Sequence, residues 1–179
     1  MWFWMGIAGG VIGLLVLTPF VVGAFLPVQY QIRAKMTSSR SPAEVFAAIE
    51  DFQKSPLAGT MCRGVEVLPE EGGLPAWRED LGSSKVRVAT IERVDGTRLR
   101  RKATDEIVPM TMLCSYDVAA TPSGSELRLS VDGEIRSGTW HVPVFRFVIH
   151  VLGMGKAGQK HYLEQLAKRL GGESHIQVE

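Results

Sequence analysis

Residues 110–135, MTMLCSYDVAATPSGSELRLSVDGEI, predict two long strands joined by a tight turn. Apolar and polar residues alternate in both halves of this stretch, which is typical of strands with one buried face. The segment from Thr121 to Gly124 between the two halves has the composition of a turn. We therefore expect an antiparallel hairpin that turns one face to the core.

The same alternation upstream predicts further strands. A ten-residue alternation from Val28 to Thr37 predicts the first of them, and Asp95-Gly96 is a hairpin signal between two others. Six or seven strands with such short connections form a curved antiparallel sheet. The remaining predicted strands occupy residues 65–68, 76–81, 85–94 and 98–104.

Two segments have the period of a helix instead. Ser41-Pro42-Ala43-Glu44 combines a capping serine, a first-turn proline and a glutamate that can reach back, so a helix begins there and is bounded by Pro56. Apolar residues recur at helical spacing from Pro143 to Leu170, where Gly153 and Gly155 could interrupt a long C-terminal helix. Its apolar stripe needs a partner, and the concave face of the sheet is the largest surface available.

The N-terminal residues 2–26 contain no charged side chain. A helix of that length covers about 37 Å and could cross a hydrocarbon core of about 30 Å, so residues 1–27 are predicted to form one transmembrane helix. A cleaved signal peptide, with Val22-Gly23-Ala24 as its cleavage site, and a buried core helix are the alternatives. No basic residue precedes the apolar run, which disfavours the signal peptide.

The flanks of this helix predict its orientation and a helix partner. Basic residues that follow it favour a single-pass membrane protein whose domain is cytoplasmic; they are Arg33, Lys35 and Arg40. Two overlapping GxxxG spacings could let another helix approach closely, although glycine is also common in membrane spans. They are formed by Gly6, Gly9, Gly10 and Gly13.

Composition predicts one folded domain at residues 28–172 and a polar tail at 173–179. The net charge of +1 lacks the basic excess of a nucleic-acid-binding protein. Cys62 and Cys114 have no CxxC spacing and are expected to be buried thiols, with a single disulfide as the open alternative. The 4 histidines include no i, i+4 pair, so neither a zinc site nor any other metal or cofactor is expected.

The chain resembles the SRPBCC superfamily in the order of these elements and in the segment SPAEVFAAIEDFQKSP after the first strand. This superfamily includes START-type lipid carriers, birch-pollen-allergen-like proteins and polyketide cyclases/dehydratases. The resemblance covers about residues 28–170, and Leu57 departs from it where family members commonly have a tryptophan. It implies an α+β helix-grip fold, in which a curved antiparallel sheet wraps around the C-terminal helix and leaves an apolar cavity, but it does not fix a reaction. The motif is carried by Pro42, Val45, Phe46, Ile49, Asp51 and Phe52.

Aromatic and flexible apolar side chains are the residues expected to line such a cavity, although they could equally fill a solid core. His150 is the candidate for a catalytic acid or base, with an edge-exposed histidine as the alternative. The GxGxxG match at residues 153–158 lacks the following strand of a dinucleotide site and is rejected. The basic run RLRRK at 98–102 is either a patch for anionic headgroups or a solvated sheet edge. The expected ligand-binding residues are Trp77, Met110, Met112, Tyr116, Phe147, Val151 and Met154.

Three functions are compatible with these features. The favoured one is membrane-anchored, non-catalytic binding or transport of a hydrophobic small molecule, such as a lipid, a quinone or a sterol-like compound, with the lipid bilayer as the second partner. A polyketide cyclase- or dehydratase-like enzyme would instead need an acid and a base in the cavity, for which His150, Tyr116 and the neighbourhood of Asp80 are candidates. The third is a non-enzymatic, membrane-tethered interaction module with a filled core.

Overall fold

A long antiparallel sheet curves around the C-terminal helices of this protein. The computed structural model describes residues 2–54 and 61–179, with side chains from Gly13 onward except that of Leu15. One turn of 3₁₀ helix, Phe52–Lys54, follows the second helix. The helices and strands are α1 Trp2–Phe25, β1 Gln29–Ser38, α2 Pro42–Glu50, β2 Gly64–Glu71, β3 Leu74–Asp80, β4 Lys85–Val94, β5 Arg98–Asp105, β6 Met110–Thr121, β7 Gly124–Ile135, α3 Val142–His150, α4 Met154–Leu170 and β8 Ser174–Val178.

The strands form one sheet in the order β2-β3-β4-β5-β6-β7-β1-β8, with every neighbouring pair antiparallel. The hairpin predicted from residues 110–135 is confirmed, because β6 and β7 pair over their whole length from Met110 opposite Ile135 to Thr121 opposite Gly124. β8 is an addition, since residues 173–179 were expected to be a polar tail. It pairs with the second half of β1, and its alternation of polar and apolar residues covers only four positions, from His175 to Val178, which is the minimum for predicting a strand.

Local sequence determines where α2 begins. The Ser41 backbone N–H donates to Glu44 Oε2 at 2.9 Å, and the Glu44 N–H donates to Ser41 Oγ at 3.4 Å, so both halves of the capping box are present. The helix buries Val45, Phe46 and Ile49 against the sheet. This segment, which carries the resemblance to the superfamily, therefore fixes the entrance of the chain into the core.

The C-terminal helix is two helices, because the chain breaks at Gly153. This residue has φ +65°, a left-handed conformation that glycine adopts without the steric penalty of a side chain. Gly155, the other predicted break, lies inside α4. The α4 residues Leu163 and Leu166 are fully buried in the same core as the inner faces of β1, β6 and β7, so α4 is the helix that the sheet grips.

The prediction of a transmembrane helix is wrong as far as the described residues test it: none of their helices is long and apolar enough to cross a membrane. The C-terminal end of α1 packs on α3, with Phe20 stacked on Trp140 at 6.0 Å between ring centroids and Gly23 against the Pro143 backbone. Three further predictions depended on this span and are withdrawn with it: the single-pass localisation, the bilayer as partner and the cytoplasmic orientation.

The glycine and cysteine predictions have different outcomes. Gly6, Gly9 and Gly10 lie outside the residues whose side chains are described, and a Cβ at Gly13 would have no neighbour within 4 Å, so the helix partner stays a prediction. Both cysteines are free thiols, Cys62 buried and Cys114 partly buried, which excludes the alternative of a disulfide between them.

Candidate ligand cavity

A cavity of about 200 Å³ lies between the sheet and α4. Since one water occupies about 30 Å³ of liquid, this volume corresponds to roughly seven water molecules. Its wall is formed by the inner faces of β3, β4, β5 and β6, by the end of α2 and by one face of α4. The lining residues are Ile49, Asp51, Phe52, Met61, Trp77, Glu79, Leu81, Val86, Val88, Arg101, Ala103, Met112, Cys114, Tyr116, Gly158, Gln159 and Tyr162.

Arg101 is the charged side chain most deeply placed in this wall, with 7% of its surface exposed. In β5 the side chains of Leu99, Arg101 and Ala103 alternate inward, so the strand period itself directs this arginine to the interior. Its Nη2 donates to the carbonyl oxygens of Ile49 at 2.9 Å and Glu50 at 3.3 Å. These carbonyls end α2, where the helix dipole is negative and favours a cation.

Aromatic rings form one side of the cavity and contact Arg101. The guanidinium carbon lies 4.8 Å from the centroid of the Trp77 ring, and Phe52 stacks on Trp77 at 4.4 Å with an interplanar angle of 12°. The indole N–H of Trp77 donates to Glu79 Oε1 at 3.0 Å. Cation–π contact and stacking both hold Trp77 in one orientation, so this wall is rigid before any ligand binds.

Two tyrosines and a thiol add polar groups without adding charge. Tyr116 and Tyr162 lie 6.1 Å apart between ring centroids, and burial is the main cause that raises the pKa of each phenol. Burial also raises the pKa of the Cys114 thiol to about 12, although the nearby Arg101 opposes the shift. All three groups are therefore protonated at neutral pH, and the two phenols can act as hydrogen-bond donors.

A glycine of α4 helps to keep the cavity open. Gly158 belongs to the lining, and a Cβ built on it would meet no atom within 4 Å. By contrast, a Cβ at Gly155, one turn earlier, would lie 2.7 Å from Ile32 Cδ1, so there the helix packs closely on β1. The glycines of the GxGxxG match thus serve as a helix start, a close contact and an open wall. The expectation that no strand follows them is wrong, because β8 does, but β8 pairs antiparallel with β1 and a helix, α3, precedes the glycines, so this segment is not a βαβ unit.

Three of the seven predicted ligand-binding residues lie in the cavity wall: Trp77, Met112 and Tyr116. Met110 lies outside it and accepts a long hydrogen bond from the Tyr30 hydroxyl at 3.7 Å to its sulfur. Phe147 is on α3, which does not reach the cavity, while Val151 and Met154 flank the break between α3 and α4 and are 52% and 57% exposed. Whether the three lining residues bind a ligand stays a prediction.

His150, the predicted acid or base, is also outside this cavity. Its Nε2 lies 3.0 Å from the Pro27 carbonyl oxygen, and its ring meets that of Tyr30 edge-on at 6.3 Å. It borders an open groove beside β1 instead. Nor do any three His, Cys, Asp or Glu side chains come together as metal ligands in the described part of the chain.

The RLRRK run has a division of roles that the sequence reasoning missed. Arg98 and Arg100 face the outside and pair with Asp117 at 2.6 Å and Glu92 at 3.0 Å, respectively, so their charges are neutralised on the sheet surface. Arg101 occupies the alternate position and faces the cavity. The signal was available, because a strand that places Arg98, Arg100 and Lys102 on one face must place Arg101 on the other.

Comparisons with solved structures agree with this architecture. A START superfamily protein from Mycobacterium smegmatis has a TM-score of 0.60 at 13% identity, with 79% of this chain and 97% of that chain covered. The chain has a START-like helix-grip fold. The structure of Ara h 8.0201 has a TM-score of 0.57 at 14% identity, with 79% of this chain and 97% of that chain covered. The di-domain ARO/CYC BexL from the BE-7585A biosynthetic pathway has a TM-score of 0.60 at 11% identity, with 96% of this chain and 60% of that chain covered. No protein-family model matches the chain, and no curated protein sequence does either.

Proposed function

We propose that the protein binds a small hydrophobic molecule in the cavity between the sheet and α4. The observation that carries this proposal is a hollow of about 200 Å³ in the place where the helix-grip fold has its interior, walled mainly by apolar and aromatic side chains with a few polar groups. Ligand sites in proteins commonly combine these two features.

The volume narrows the expected ligand. Room for roughly seven waters is below the usual range for drug-sized ligands, about 300–1,000 Å³. The molecule we propose is therefore a single ring or a medium-length aliphatic chain, which is smaller than most of the ligands expected from the sequence.

The two alternative functions receive less support. The interaction module required a filled core, whereas this core is hollow. The cyclase or dehydratase required an acid and a base in the cavity, but His150 lies elsewhere, and burial raises the pKa of Tyr116, which favours the neutral phenol over a basic phenolate. In the neighbourhood of Asp80, Glu79 does line the cavity, where its carboxylate accepts the hydrogen bond of the Trp77 indole. Binding without catalysis is the function that the described groups support best.

A pair of variants at Gly158 tests the proposal. Leu at this position would place its side chain in the cavity, whereas Ala would add a single methyl where no atom lies within 4 Å. Thermal unfolding is followed with 1-octanol, indole and octanoic acid, because a ligand at about 100 times its Kd adds about 2.7 kcal/mol to the free energy of unfolding.

We expect at least one of these probes to raise the Tm of the wild type and of Gly158→Ala, and none to raise that of Gly158→Leu. Gly158→Leu should itself unfold at no lower temperature than the wild type, since it fills space rather than removing contacts. The proposal is wrong if no probe shifts the wild type, or if the filled variant responds as strongly as the wild type does.

A further inference from the structure

The guanidinium of Arg101 has more hydrogen-bond donors than the protein uses. Nη2 makes both backbone hydrogen bonds of this side chain, to Ile49 O and Glu50 O. Among the described residues, the buried Nε has no hydrogen-bond partner, and Nη1 has none either. Buried N–H groups that lack an acceptor cost about 1–3 kcal/mol each, so this arrangement is unfavourable in the empty protein.

The charge of Arg101 is also unbalanced. No carboxylate of the described residues lies within 4.0 Å of its nitrogen atoms, although two carboxylates line the same cavity. Asp51 is paired with Arg169 at 2.8 Å, and Glu79 accepts the hydrogen bond from the Trp77 indole. Glu79 and Arg101 are also not aligned across the sheet. On β4, which lies between their strands, Glu79 is opposite Val86, whereas Arg101 is opposite Thr90.

The neighbouring phenols add donors at the same place. The Tyr162 hydroxyl is buried beside the Tyr116 side chain, and the Tyr116 ring lies 5.7 Å from the guanidinium carbon. A phenol, unlike a guanidinium, can also accept a hydrogen bond, but neither tyrosine can neutralise a cation while protonated. The group that complements this set has acceptor oxygens and a negative charge.

We propose that the cavity selects ligands with a carboxylate, which binds the guanidinium of Arg101 while the apolar part of the ligand lies along Trp77 and Met112. This inference rests on the proposed function and specifies its ligand class. A carboxylate has acceptor oxygens only, and its hydrogen bonds to arginine are among the stronger ones in proteins. A ligand of this kind would give the guanidinium an acceptor on the cavity side and supply the missing counter-charge.

Octanoic acid and 1-octanol form the matched probe pair, because they share the chain length and differ in the charged end. Isothermal titration calorimetry at pH 7 gives the Kd of each for the wild type, for Arg101→Met and for Arg100→Met. Arg100 is adjacent in β5 but faces outward and pairs with Glu92, so its variant controls for a general loss of positive charge.

We expect the wild type and Arg100→Met to bind octanoate at least about tenfold more tightly than octanol, which is the ratio for one charge-assisted hydrogen bond. Arg101→Met should lose this preference, so that its Kd values for octanoate and octanol become about equal. Equal binding of the two probes by the wild type, or a preference that survives in Arg101→Met, would overturn the carboxylate inference and leave hydrophobic binding intact. Failure of the wild type to bind either probe or indole would overturn the proposed function as well.

Discussion

Two buried arginines should contribute unequally to stability, so that replacing each by methionine lowers the free energy of unfolding by different amounts. Arg101 and Arg146 are 7% and 5% exposed, and each donates hydrogen bonds to backbone carbonyls. The Arg146 nitrogens Nε and Nη2 donate hydrogen bonds to the Ile135 carbonyl oxygen at 3.2 and 2.8 Å, and Nη2 also donates to Ser137 Oγ at 3.2 Å. None of its buried nitrogens lacks a partner, so it is a structural tie between α3 and the end of β7.

The magnitudes follow from these contacts. Hydrogen bonds from a charged donor contribute about 1.5–3 kcal/mol, so Arg146→Met should lower the free energy of unfolding by about 2–3 kcal/mol. Arg101→Met loses a similar contribution at Ile49 O and Glu50 O, but it also removes the unpartnered Nε, whose cost of about 1–3 kcal/mol is comparable. We expect a net change of less than about 1 kcal/mol for Arg101→Met.

Urea unfolding followed by far-ultraviolet circular dichroism measures both variants, and an unchanged m-value confirms that the denatured states are comparable. The predicted difference between the variants of at least about 1 kcal/mol corresponds to about 2–4 °C in Tm for a chain of this size. If Arg101→Met costs as much as Arg146→Met, Arg101 is a structural prop of α2, and the reasoning that its free donors await a ligand is refuted.

Three further predictions concern titration, capping and packing. Stability should fall as pH rises from about 9 towards 12, because burial raises the pKa of Cys114 to about 12 and the folded state therefore holds a proton that the unfolded state releases. Urea titrations at pH 7, 9 and 10.5 measure the free energy of unfolding, and Cys114→Ala should reduce its dependence on pH. A free energy of unfolding that does not change with pH would contradict this prediction. Ser41→Ala should cost about 1 kcal/mol by removing the α2 cap, and a change below about 0.3 kcal/mol would show that the capping box contributes little. Gly133→Ala should lower the free energy of unfolding by about 1–3 kcal/mol or more, since its Cβ would lie 2.0 Å from Tyr30 Cζ. Gly64→Ala is the control and should not lower it, because a Cβ there would meet no atom within 4 Å.

The sheet could be predicted because its information is local. Alternation reports which face of a strand is buried, and it located all of β1 and the β6–β7 hairpin. It failed for β8, whose pairing with β1 depends on a tertiary contact rather than on its own five-residue pattern. The break of the C-terminal helix was predicted at either of two glycines, and only the conformation at Gly153 decides between them.

The cavity wall was predictable only in part, because it depends on how helix and sheet are spaced. Trp77 lies at an inward position of β3, and Met112 and Tyr116 lie at inward positions of β6, which alternation could indicate. Val151 and Met154 have helical spacing and apolar character but flank the break, so they point away from the sheet. Arg101 was overlooked because the basic run was interpreted as one surface, although the strand period requires one of its members to face inward.

The methionine methyl groups offer the most direct test of the central claim, which is that the space between the sheet and α4 binds the ligand. Met112 lies in the cavity wall, Met110 is outside it near Tyr30, and Met154 is exposed beyond the helix break. In a methyl-labelled sample titrated with octanoate, we expect intermolecular nuclear Overhauser effects from the Met112 methyl group to the ligand chain and none from Met110 or Met154. Ligand contacts at Met110 or Met154 without any at Met112, or no contacts at saturating octanoate, would contradict the account.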